Sequence, residues 1–308
     1  MSSSIFEKHG WVIIDKPKDI SSAMVVSKIK RTLNIKKVGH AGTLDPLASG
    51  ILPIALGNAT KTTRFLQEKN KAYLFEITWG VAKDTDDAEG EVINTSSKIP
   101  TPLEIDNITK SFIGVIEQKP PIYSAIKING KRAYSLARKG QSPVIAPRKV
   151  QIHRFERIQQ KSTINTTFFS VTCGKGTYVR SLARDLAVKL GTFGYVSSLR
   201  RTSYGPFDEN MAISLDKIVS LVHKTGCLGE IYPISIVLDD IPAIEITDRQ
   251  AKSILQGQAI SISDLKDYPE IKVSSEGVTF KIICEDIVIA LAMINDLKLK
   301  PFRVLQTD

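Results

Sequence analysis

Residues 39–50 read Gly39-His40-Ala41-Gly42-Thr43-Leu44-Asp45-Pro46-Leu47-Ala48-Ser49-Gly50. Three of these twelve residues are glycine, which permits backbone conformations and close approaches that other residues resist. A loop able to press against a ligand is the expectation, with a single carboxylate, Asp45, at its centre. Asp followed by Pro is also a common way to cap and begin a helix or turn. From the residues alone, a catalytic carboxylate and a capping side chain both stand.

Upstream of this loop, apolar alternation and turn residues predict a strand at Trp11 to Ile14 that ends at Lys16-Pro17. A helix follows after Ser21-Ser22, with Val25, Val26, Ile29 and Leu33 on one face. The loop is expected to run from Asn34 to Gly50. Beyond it come a short buried strand at Ile51 to Leu56, a helix at Ala59 to Gln67 and a strand at Tyr73 to Trp79. Further elements are a helix at Leu103 to Phe112, strands at Val150 to Phe155 and Thr167 to Cys173, and a helix in GKGTYVRSLARDLAVKLG. In that helix Val179, Leu182, Leu186 and Leu190 line one face and Gly191 ends it. A linker containing Pro233 leads to a tail that alternates like a small β-rich domain from about Ile244. Periodicity alone supports an α+β chain, and 308 residues at roughly 150 per domain favour two domains.

The chain carries a net charge of +10. A polyanion is the partner such a field attracts best, although a merely lysine-rich composition gives the same number. The distribution is uneven: residues 1–238 hold 34 basic and 20 acidic residues, residues 239–308 hold 8 and 12. From Lys119 to Lys149 there are eight basic residues and no acidic one, with Tyr123 and Tyr134 interspersed and an Asn129-Gly130 hairpin signal inside. Cations with interleaved aromatics can hold phosphates while stacking on unpaired bases, which favours RNA over a solvated face. Lys131, Arg132, Arg138 and Arg148 are the substrate-binding candidates within this stretch.

Cys173, Cys227 and Cys284 are odd in number and widely spaced, which disfavours a disulfide framework and fits a reducing cytoplasm. The first ten residues have no apolar core or cleavage signal, and the longest apolar run, Ile287 to Ile294, is far short of the ~20 residues of a membrane helix. The four histidines, His9, His40, His153 and His223, are isolated, so no metal site is expected. DTDDAEG at Asp84 to Gly90 resembles a calcium loop only superficially, because Ala88 and Glu89 stand where an oxygen ligand and a glycine are needed. It reads as a solvated turn.

GHAGTLDPLASG resembles the signature of the TruB family of pseudouridine synthases, whose catalytic aspartate sits in a GHxGTLDPxAxG context. Four further segments resemble that family in its order: KPKDISS (Lys16 to Ser22), DTDDAEG, GTYVRSLARDLA (Gly176 to Ala187) and LRRTSYGPF (Leu199 to Phe207). Asp19 departs from the pattern, standing where many relatives have glycine. DRQAKSILQGQAI (Asp248 to Ile260) resembles the opening of a small PUA-like RNA-binding domain.

The resemblance implies a pseudouridine synthase fold: a mixed, largely antiparallel sheet with flanking helices in residues 1–238, a thumb-like basic insertion at about 119–149, and a PUA-like domain in 239–308. It implies an enzyme that isomerises the T-loop uridine (U55) of elongator tRNAs after extruding the base. Asp45 would be the nucleophile, which requires no cofactor and no metal. Arg180 would pair with Asp45 through two parallel hydrogen bonds, opposing the proton uptake that burial favours. Tyr73 would stack beneath the base, Tyr178 and Leu199 would pack the pocket, His40 would enter the RNA loop, and Lys16 would lie on the substrate side. A stand-alone cytoplasmic monomer acting on the tRNA T arm is implied, with a guide-RNA-dependent synthase and a non-catalytic tRNA-binding or folding protein as the alternatives.

Overall fold

A computed structural model of the chain describes residues 9–305 apart from Ala125, Asn129, Lys139, Ser142 and residues 160–161, 226–229 and 266–276. The turn residue Asn129 and Cys227 therefore lie outside the described residues, as does the side chain of Arg132.

Strand β1 (Gly10–Lys16) and helix α1 (Ser22–Leu33) stand where the sequence predicts them. The Ser21 hydroxyl accepts from the Met24 amide at 3.2 Å, and Asn34 closes the helix in the left-handed region (φ 49°). The loop expected from Asn34 to Gly50 is shorter than read. Val38–His40 forms strand β2, antiparallel to β3 (Ser49–Leu56), so the stretch is divided into a short connection at residues 34–37 and a loop at residues 41–48. Three residues with no alternation give no strand signal; β2 exists because β3 offers it a partner. The helix read at Ala59 to Gln67 is split into a 3-10 stretch, Gly57–Thr62, and α2 (Thr63–Glu68). Then come β4 (Lys71–Trp79), the hairpin β5 (Val81–Lys83) and β6 (Val92–Thr95), α3 (Pro102–Thr109) and β7 (Gly114–Gln118). In the basic insertion β8 (Lys127–Ile128) pairs with β9 (Lys131–Arg132), and α4 (Ala133–Ala137) follows. The remaining elements of this part are β10 (Arg148–Ile158), β11 (Thr166–Cys173), α5 (Val179–Lys189), β12 (Gly194–Tyr204), β13 (Phe207–Asp208), β14 (Ile213–Ser214) and α6 (Leu215–Thr225).

The central sheet runs β14-β1-β3-β12-β4-β11-β10-β7, with β2 paired to β3 and β13 to β12. Only the β1–β14 and β3–β12 contacts are parallel, so the sheet is mixed and largely antiparallel, as expected. Its strands alternate. In β4, Tyr73, Phe75, Ile77 and Trp79 are buried, while Leu74, Glu76 and Thr78 between them are only partly covered. Phe75 stacks on Phe169 of β11 at 5.3 Å between ring centroids. Helix α5 covers this face with Leu182, Ala183 and Leu186, all fully buried. Each such leucine contributes roughly 1.5–3 kcal/mol through removal of apolar surface from water. That packing fixes where the first turn of α5, with Arg180, meets the sheet.

The tail builds its own sheet, β15-β17-β18-β19-β16. Its elements are β15 (Ala243–Glu245), helix α7 (Asp248–Leu255), β16 (Ile260–Ser261), β17 (Thr279–Cys284), β18 (Ile287–Asn295) and β19 (Lys298–Val304). A separate core gathers Ile254, Ile282, Ala290 and Leu299. The segment around Pro233, expected to be a linker, is instead packed against the fold, although Pro233 itself is exposed. Tyr232 exchanges two backbone hydrogen bonds of 2.8 Å with Trp11, and Val237 and Leu238 share a buried cluster with Trp11, Phe207 and Leu291 of the tail.

Candidate active site

The 41–48 loop is held from three sides. The Ser22 hydroxyl donates to the Leu44 carbonyl and accepts from the Leu44 amide, both at 2.9 Å. The ammonium of Lys16 donates to the carbonyls of Pro17 (2.9 Å), Ile20 (2.8 Å) and Pro46 (3.2 Å). The guanidinium of Arg201 spans the loop, donating to the Gly42 carbonyl (2.9 Å) before Asp45 and to the Ile51 carbonyl (2.7 Å) after it. Gly50 (φ 97°) is required where the loop rejoins the sheet, because a Cβ there would lie 2.2 Å from the Arg201 carbonyl oxygen. Asp19, the departure from the family pattern, has φ 65° and donates its amide to Pro46 at 2.8 Å. Glycine suits that left-handed position, and Asp tolerates it better than most other residues do.

The Asp-Pro turn reading holds for the backbone alone: the Ala48 amide donates to the Asp45 carbonyl at 3.1 Å. The carboxylate is free for another task. Its Oδ2 lies 2.9 Å from Nη2 of Arg180, whose side chain is 6% exposed against 36% for Asp45. Arg180 stands in the first turn of α5, whose start is fixed by Gln118: that side chain accepts from the Tyr178 amide (2.8 Å) and donates to the Tyr178 carbonyl (3.1 Å). The expected two parallel hydrogen bonds are not formed. Nη2 also donates to the Tyr123 carbonyl (3.0 Å), while Nη1 donates to the Thr85 carbonyl (2.9 Å) and faces Oδ2 of Asp87 at 3.4 Å. One guanidinium is shared, and Asp45 receives one edge of it.

Asp87 corrects the reading of DTDDAEG as a solvated turn. Its side chain is buried, accepting from the Thr85 hydroxyl at 2.6 Å and the Glu89 amide at 3.0 Å. Asp86 pairs with Arg184 at 2.7 Å, and burial pushes its pKa up to about 6 despite that arginine. Asp86 and Asp87 are covered because α5 presents two arginines to them, while Ala88 and Glu89 stay exposed, and a run of acids gives no local sign of such long-range partners. Arg201, buried and carrying the loop, is likewise unmarked by local pattern and is not among the expected site residues; its place in LRRTSYGPF is the one signal that could have marked it.

Beside the carboxylate opens a cleft of about 690 Å³, within the range of small-ligand sites. Asp45, Tyr73, Arg148, Tyr178, Arg180 and Leu199 all line it, so six of the expected site residues converge. Burial pushes the Tyr73 hydroxyl pKa up, with Arg201 opposing. Arg148 lies over the Tyr178 ring at 4.9 Å. The others stand elsewhere. His40 is half-buried on β2, and burial with the nearby Arg201 pushes its pKa down. Lys131 and Arg138 are exposed on the basic insertion, Arg138 over the Tyr134 ring at 4.7 Å. Lys16, expected on the substrate side, has no exposed surface and is engaged by three backbone carbonyls, so it shapes the loop. Burial brings its pKa down to about 8, against the pull of Asp45.

Residues 30–179, which include this loop and most of the cleft, match the model of the TruB family pseudouridylate synthase N-terminal domain, and residues 180–239 match the tRNA pseudouridylate synthase B C-terminal domain. The chain belongs to the TruB family. Relatives of the family include the tRNA pseudouridine synthase B of Rhodospirillum rubrum, 44% identical over 96% of both chains, and that of Anaplasma phagocytophilum, 48% identical over 83% of this chain and 85% of the relative. Among solved structures, a Cbf5-Nop10-Gar1 complex aligns at TM-score 0.72 and 25% identity over 97% of this chain and 85% of the other. An H/ACA RNP bound to a substrate RNA containing 2'-deoxyuridine aligns at TM-score 0.73 and 23% identity over 100% of this chain and 88% of the other, a likeness of fold. The pseudouridine synthase fold expected of a TruB member is thus the fold found, with the second sheet after it.

Proposed function

We propose that this TruB-family protein is a tRNA pseudouridine synthase that isomerises the T-loop uridine, U55, of elongator tRNAs, with Asp45 as its nucleophile. The observation that carries the reading is the Asp45 carboxylate, open to a nucleotide-sized cleft and held at 2.9 Å by an otherwise buried arginine. The reaction breaks the bond from ribose C1′ to uracil N1, turns the base, and joins C1′ to C5; the C5 proton leaves and N1 takes up a proton, so the product is an isomer and no oxidation state changes. A carboxylate oxygen adds to the nucleotide and later departs, so it is regenerated each cycle. Arg180 fixes the direction of that oxygen, and Tyr73 supplies an aromatic wall against which the base can lie.

A base stacked within RNA cannot offer C1′ or C6 to this carboxylate, so the nucleotide must be everted, at a cost of roughly a few kcal/mol. Phosphate contacts along the basic insertion, including Lys131, Arg132 and Arg138, would offset it. Residues 1–238 are the catalytic unit in this reading and residues 239–308 a PUA-like RNA-binding domain. The protein acts as a cytoplasmic monomer without a protein partner.

The likeness of fold to the H/ACA RNP component raises a guide-dependent synthase as a second reading. The test is to incubate purified protein with an unmodified tRNA transcript and map pseudouridine along it. Conversion at U55 without guide RNA supports the proposal. Absence of product unless a guide particle is supplied overturns it.

A further inference from the structure

Ser124 lines the cleft, is 4% exposed, and its Oγ has no hydrogen-bond partner among the described residues. Its backbone is committed: the amide donates to the Ile122 carbonyl and the carbonyl accepts from the Tyr134 amide, each at 3.0 Å. The preceding carbonyl, of Tyr123, takes the same Arg180 nitrogen that reaches Asp45. Ser124 therefore stands one peptide away from the group that aims the carboxylate.

A buried hydroxyl without a partner has lost its hydrogen bonds to water and gained nothing, which destabilises the fold. Alanine would occupy the same space without that penalty. Arg148 Nε and Tyr204 Oη are also buried without a partner and also belong to the cleft lining, so three of the five such atoms among the described residues meet here. Orphaned polar groups concentrated in a ligand cleft are what a site built to hydrogen-bond its substrate looks like when the substrate is away, and such sites discriminate strongly against analogues that lack the matching group.

We propose that the Ser124 hydroxyl is a specificity-determining contact that exchanges a hydrogen bond with an oxygen of the everted nucleotide, either a uracil carbonyl or the ribose 2′-hydroxyl. The proposal rests on the reaction assigned above. A serine hydroxyl donates and accepts, so both sources share one chemistry.

The test compares wild type with Ser124→Ala on T-arm stem-loops carrying uridine, 2-thiouridine, 4-thiouridine or 2′-deoxyuridine at the target, reading dissociation constants, conversion rates and the thermal midpoint. The expected result is at least a tenfold loss of kcat/KM or affinity on uridine, a thermal midpoint equal to or above wild type, and disappearance of the loss on the one analogue that lacks the partner oxygen. A change of less than twofold on uridine overturns the proposal. So does a loss of equal size on all four substrates, or one accompanied by a lowered midpoint. If wild type converts no uridine, the functional reading fails, while the dissociation constants still test Ser124.

Discussion

Arg180 lies between two carboxylates, 2.9 Å from Asp45 on the 41–48 loop and 3.4 Å from Asp87 on the turn between β5 and β6. Asp45 is partly open to the cleft and Asp87 is buried, so the two carboxylates have different tasks. Asp87 holds the guanidinium on its buried side, and Asp45 presents its carboxylate to the cleft.

Asp87→Asn keeps the shape of that support and removes its charge. Breaking a buried ion pair by removing one partner costs about 3–5 kcal/mol where the remaining charge is uncompensated, and less here because Arg180 keeps Asp45. The expected outcome is a folded protein whose single-turnover rate falls roughly tenfold to a hundredfold, one to two powers of ten at ~1.4 kcal/mol each. A rate equal to wild type in stopped quench-flow assays would show that Asp87 does not position Arg180.

Lys16 predicts a pH dependence of stability. Its folded pKa is lowered from 10.5 to about 8, so between those values the unfolded chain binds the proton that the folded chain has released. Stability then rises with pH across that window and is flat in this contribution below it. In urea titrations, wild type should gain stability relative to Lys16→Met as pH is raised from about 8 to 10.5. Parallel curves for the two proteins would contradict the burial of a charged Lys16.

The basic insertion predicts a salt effect. Replacing Lys131 or Arg138 by glutamate should weaken tRNA binding and reduce the slope of log affinity against log salt by about 1 for each phosphate that is no longer neutralised. Filter binding across a salt series reads this directly. An unchanged slope in both variants would remove the insertion from the RNA interface.

Much of the frame was legible because it is local. Alternation marked β1 and β4, Ser21 marked the start of α1, and the apolar stripe of α5 marked the helix that delivers Arg180. The family motifs marked Asp45, Tyr73 and Arg180, all of which meet at one cleft. What was hidden depends on partners far away in the chain. Asp87 looked solvated because its arginine is 93 positions on. Lys16 is expected on the substrate side, and that it instead ties the 41–48 loop depends on the carbonyl of Pro46, 30 positions on, besides the local ones of Pro17 and Ile20. The hairpins of the second sheet turn through Glu285-Asp286 and Asp296-Leu297 with positive φ, pairs that lack the Asn-Gly signature.

The most direct measurement is pseudouridine at U55 of an unmodified elongator tRNA incubated with Asp45→Asn, alongside the dissociation constant of the same complex. The carboxamide fills the same space but cannot supply the nucleophilic oxygen, so no pseudouridine should form, while affinity stays within about tenfold of wild type, or ~1.4 kcal/mol. Pseudouridine made by Asp45→Asn would contradict the account.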